Sequence, residues 1–119
     1  MTILHFCAGE DWRAAVAAGE YTADTLASEG FIHCSTAELV HVPANLLVRG
    51  RTDLVLLEID EARLNTPPRY ERGEPDDPAL FPHVYGPIPV AAVVAVHEFP
   101  PGPDGRFTLP DSVTRQGHG

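Results

Sequence analysis

The chain has 119 residues, 44% of them hydrophobic and 21% charged, which suits one soluble folded domain and excludes wholesale disorder, collagen-like repeats and a disulfide-stapled miniprotein. Seventeen acidic residues oppose eight basic ones, all arginine, for a formal charge of −9. That balance argues against nucleic acid as partner and for a small molecule, and the lack of lysine excludes Schiff-base chemistry and a phosphate-loop lysine.

Residues 2–7, TILHFC, are apolar and β-prone, and a period of two puts Ile3, His5 and Cys7 on one face. The next segment, GEDWRAAVAAG, predicts a helix with Glu10 and Asp11 in its first turn, Trp12 and Val16 at i and i+4, and Gly19 as the stop. FIHCS, residues 31–35, predicts a strand with His33 and Ser35 on one face and Ile32 and Cys34 on the other. Ser35 and Glu38 have capping-box spacing, so a second helix is expected to begin there, perturbed near Pro43. LVLLEI, residues 54–59, is apolar on both faces, the pattern of a central strand covered on both sides. Eleven of the twelve prolines fall from Pro67 onward, so the second half is expected as short strands and loops, with strands at residues 81–85 and 90–99 and a turn at Asp104-Gly105. No apolar run approaches the roughly 18–20 residues that cross a bilayer, and no basic leader opens the sequence, so a cytoplasmic protein without a membrane partner is expected. Cys7 and Cys34 read as small, buried, reduced side chains.

Three places look chemical. In GFIHCST, His33 and Ser35 point the same way just before an expected helix N-terminus, where free backbone N–H groups favour an anion or polar ligand; the plainer reading is a helix cap and a half-buried histidine. In FPHVYGPIP, His83 and Tyr85 share a face between prolines that fix the backbone, against ordinary packing of Phe81 and Tyr85. In RYERGEPDD, Arg69 and Glu71 put a cation and a carboxylate on one strand face, against a solvated charge run. His33, Glu71 and His83 come from separate segments without HxH or HExxH spacing, so no metal site is expected.

The succession ILHF, EDW with AAG, GFIHCSTAE, DLVLLEID, RYE and FPHVYGPI, closed by an Asp-Gly turn, resembles the small bacterial domain-of-unknown-function family nine-five-two over about residues 2–110. That family has no established activity, and its members look like reduced relatives of the ADP-ribosyltransferase-like fold, in which a split β-sheet cradles NAD. The resemblance implies an α+β fold: a single ADP-ribosyltransferase-like domain over 1–110 with a split mixed or antiparallel sheet and two helices; the polar composition beyond it predicts a disordered tail over 111–119. It also implies that His5 stands for the histidine of an early strand, Ser35 for a serine ahead of a helix, and Glu71 for the carboxylate of the cleft. The threonine and glycine that follow that histidine in NAD-using members are missing here.

The candidates are thus His33, Glu71 and His83 as catalytic residues and His5, Ser35, Arg69 and Tyr85 as ligand-binding residues of one cleft. Three functions fit them. One is an enzyme using NAD or a related nucleotide as substrate for ribosyl transfer, with no resident cofactor. Another is a ligand-binding module without turnover. The third is an acid–base enzyme on a small biosynthetic metabolite, using two histidines and a carboxylate near neutral pH. Oligomeric state is left open.

Overall fold

The computed structural model describes residues 1–73 and 75–113. Its first strand, β1 (Thr2–Ala8), alternates its apolar side chains between two cores: Ile3 and Cys7 enter one, Leu4 and Phe6 the other. The segment Leu54–Asp60, β4, runs antiparallel to it from Thr2↔Asp60 to Ala8↔Leu54. It lies between β1 and β8 (Val93–Glu98), with a register shift at Glu58/Ile59. Leu57 and Ile59 join the first core; Leu54 and Leu56 join the second. A strand wedged between two apolar layers has no solvent face to mark with polar residues, which is why LVLLEI carries no alternation.

Two smaller antiparallel sheets complete the fold. β2 (Glu20–Tyr21) pairs with β7 (Ile88–Pro89), and β3 (Ile32–His33) pairs with β6 (Leu80–Val84), which pairs in turn with β5 (Arg69–Arg72). Among the described residues a single isolated bridge splices the sheet of β1 to that of β3. Leu4 N–H donates to the Ser35 carbonyl and Ser35 N–H to that of Leu4, both at 2.7 Å, so the free edge of β1 meets the continuation of β3. All strand pairs are antiparallel, and the domain is α+β.

There are three α-helices among the described residues where two are expected from sequence. The first, α1 (Gly9–Ala18), begins with Glu10 and Asp11 and ends at Gly19, whose φ of 89° suits glycine and whose N–H donates to Ala15. Its inward stripe is Trp12 and Ala15, at i and i+3; Val16, expected beside Trp12, is 52% exposed. A short unexpected helix, α2 (Asp24–Ser28), follows β2. The helix expected at Ser35 starts later, as α3 (His41–Leu47). Ser35 caps nothing because its N–H and C=O are spent on the bridge to Leu4, which keeps it extended. Residues 36–40 turn first, with Val40 N–H on the Thr36 carbonyl, and Pro43 falls in the first turn of α3, where its missing N–H costs no bond.

Residues 90–92 form a 3-10 turn that shortens the expected strand over 90–99 to β8, and the strand expected at 81–85 is β6, one residue earlier. Gly105, at φ 81°, makes the expected turn. Within the stretch expected as a tail, residues 111–113 pack on the second core: Val113 is buried in it and Ser112 meets the His97 ring. The rest of that stretch, 114–119, lies outside the described residues. No helix among the described residues is long and apolar enough to cross a membrane.

Candidate functional site

Antiparallel partners point to the same side of a sheet, and so do residues two apart on a strand. The register sets His33 beside His83, His83 beside Arg69, and Phe81 beside Glu71. Extending by two along each chain adds Phe31 and Tyr85. The histidine of GFIHCST, the histidine and tyrosine of FPHVYG and the charges of RYE therefore share one face, as their spacing predicts.

On that face, one oxygen of Glu71 gathers two donors. His83 donates from Nδ1 to Glu71 Oε1 at 2.8 Å, and the Tyr85 hydroxyl donates to the same oxygen at 2.6 Å. These bonds, that of Tyr85 foremost, hold the Glu71 carboxyl below its usual range, and the same bond pushes the Tyr85 phenol up. The Arg69 guanidinium lies 4.8 Å from the Tyr85 ring centroid. Phe31 stacks on His83 with centroids 4.2 Å apart, and the His33 ring stands edge-on to His83 at 5.2 Å. His83 is only 4% exposed, and with Nδ1–H committed to Glu71 its Nε2 carries a lone pair in the neutral ring. That Nε2 is buried without a hydrogen-bond partner.

His33 and His5 have different partners. The exposed His33 ring reaches Glu29 from Nε2 at 3.1 Å. His5 donates from Nδ1 to the His33 carbonyl at 2.6 Å, which a carbonyl can only accept, so its Nε2 accepts from the Tyr21 hydroxyl at 2.8 Å. Burial drives the His5 imidazole down to about 4, so it is neutral and ties β1 to β3.

A groove of about 880 Å³ runs past these residues, and its walls include His5, His33, Ser35 and His83. Glu71, Tyr85 and Arg69 stand outside those walls, and Glu71 acts on the groove through His83. The helix N-terminus expected at Ser35 as a seat for an anion is not formed, because α3 begins at His41. Cys34 faces away from His33 as expected, buried and free like Cys7; burial pushes its thiol far up and that of Cys7 to about 11. No group of three or more metal-ligating side chains occurs among the described residues.

Three neighbours of the site and one further cluster went unread in the sequence. Phe31, two before His33, and Glu29, four before it, were legible by spacing alone. Tyr21 was not, since only the tertiary fold sets it beside His5. Nor was a second polar cluster on the far core: His97 meets Glu58 Oε1 through Nε2 and Ser112 Oγ through Nδ1, both at 2.8 Å.

The family described as "Protein of unknown function (DUF952)" matches residues 6–96. Protein CC0527 from Caulobacter crescentus is similar throughout. Its crystal structure superposes with a TM-score of 0.81 at 29% identity, over 92% of this chain and 95% of that one. Its solution NMR structure gives 0.78 at 30% identity, over 95% and 97%. Both are structural genomics targets. No curated protein matches the chain.

Proposed function

We propose, from the premise that the chain belongs to the DUF952 family of unknown function, that the groove is the acid–base site of an enzyme acting on a small metabolite. The observation that carries this reading is His83: a buried imidazole on the groove wall, backed at Nδ1 by a carboxylate and left with an unpartnered Nε2. Glu71 fixes the tautomer and lies against the ring when it takes up a proton, while Tyr85 and Phe31 hold that carboxylate and ring in place. Nε2 is the atom that accepts a proton from substrate. His33, bonded to Glu29 on the groove wall, is the second proton carrier, and His5 is a positioning residue that fixes the His33 backbone. The two buried free thiols suit a reducing compartment, and the cytoplasm is where we place the activity.

The ribosyl-transfer reading, with NAD or a related nucleotide held in an ADP-ribosyltransferase-like cleft, draws its support from the split sheet joined at Leu4 and Ser35 and from His5 and Ser35 on the groove walls. It ranks second because Glu71 would have to face a ribose from outside those walls. Incubating the protein with a bacterial metabolite extract and following it by mass spectrometry tests the first reading. Wild-type protein should consume a metabolite, and His83→Ala, still folded, should lose about a hundredfold or more of that rate. Equal consumption by both proteins refutes the assignment, and no consumption by either turns the groove into a binding module.

A further inference from the structure

Two buried side-chain polar atoms lack a partner among the described residues, Thr25 Oγ1 and His83 Nε2, and both residues lie on the groove walls. Buried polar groups in folded proteins are almost always bonded, so a pair of orphans on one groove marks where a ligand supplies the missing partner. The His83 orphan has a definite sign. Its Nδ1–H is taken by Glu71, so Nε2 of the neutral ring is an acceptor and asks for a donor. A threonine hydroxyl accepts as readily as it donates.

The charge of the walls has the same sign preference. Asp11, Glu20, Asp24, Glu29 and Asp77 line the groove, and the chain as a whole carries −9. Arg51, the one arginine on the walls among the described residues, is already clasped by Asp53 through two bonds of 2.9 and 2.6 Å. A negative groove concentrates cations and repels anions. The third feature is apolar. Leu46 and Leu47 of α3, 80% and 70% exposed, lie on the same walls, as does Val42. Exposed leucines against a groove are side chains with apolar surface still to cover.

We infer that the groove takes a protonated amine bearing an aliphatic arm: ammonium N–H groups supply the donor that His83 Nε2 lacks, the acidic side chains hold the charge, and the arm covers Leu46 and Leu47. This rests on the acid–base reading and names its substrate class: an amine, bound as a cation with an ammonium N–H donated to His83 Nε2.

The probes are n-hexylamine, n-hexanol and hexanoate, equal in arm and different in charge, with methylammonium as the cation without an arm. Binding is read by amide NMR shifts and titration calorimetry. Hexylamine should saturate with shifts at His33, His83 and Thr25, should bind at least about tenfold more tightly than hexanoate, and should weaken as salt rises from about 0.02 to about 0.5 M. Leu46→Ala with Leu47→Ala, both on the surface, should weaken hexylamine and leave methylammonium unchanged; Asp24→Asn with Glu20→Gln should weaken both amines. Hexanoate or hexanol binding as tightly as hexylamine overturns the inference, as do shifts confined to residues outside the groove or the absence of saturation by any amine. Should amines fail while His83-dependent consumption of a metabolite persists, the substrate class is wrong and the acid–base site stands. Saturable amine binding with consumption indifferent to His83→Ala is the reverse case.

Discussion

Removing the His97 imidazole strips a buried carboxylate of its partner. Glu58 projects from the central strand β4 and His97 from its neighbour β8; both are buried, joined at 2.8 Å, and roofed by the chain around Val113. Breaking such a pair from one side costs about 3–5 kcal/mol, because the remaining group stays out of water with nothing in exchange. For a chain of 119 residues, at about 2.1 cal/mol/K of unfolding entropy per residue, that lowers the melting temperature by roughly 12–20 °C. His97→Ala should show this loss in calorimetry, whereas Ser112→Ala, which removes one hydrogen bond at an exposed residue, should cost only about 1 kcal/mol. Replacing both partners, Glu58→Met with His97→Leu, should restore most of what His97→Ala loses, since apolar side chains of similar size owe no desolvation there. A His97→Ala protein melting within about 3 °C of wild type would refute the reasoning, because it would mean that water reaches Glu58.

Acid should weaken the protein through His5. Its folded-state value of about 4 lies below the ordinary 6.5, so between the two only the unfolded chain takes up the proton. Stability is then lost as pH falls from about 6.5 to about 4, by up to about 3 kcal/mol, and His5→Gln should flatten that slope. Urea midpoints that fall equally in both proteins between neutral pH and about pH 4.5 would count against it. Neither Cys7 nor Cys34 should react with a disulfide reagent until denaturant is added, and rapid labelling of Cys34 in the native protein would mean that the face of β3 is misassigned. Tyr85→Phe removes the main bond that lowers the Glu71 carboxyl, so the carboxyl carbon of Glu71 should titrate at higher pH by NMR; an unmoved titration would show that His83 alone sets it.

The face that carries the candidate site was legible because the pleat of a strand is a local rule. His33, His83, Tyr85, Arg69 and Glu71 each needed only a period of two, and the antiparallel register then laid their strands side by side. Ser35 shows the limit of that rule: a capping box and a bridge to Leu4, 31 positions away, compete for the same N–H and C=O, and sequence shows only the local contender. Tyr21 with His5, and Glu58 with His97, are joined only by tertiary structure, and neither pairing leaves a periodic trace. The acidity of the groove belongs to the same class. A charge of −9 suggests a small ligand over a polyanion but says nothing of where the carboxylates gather. Once α1, β2 and α2 bring Asp11, Glu20 and Asp24 to the groove that also holds His83, the net charge becomes a property of that groove, and a negative groove favours cations over anions.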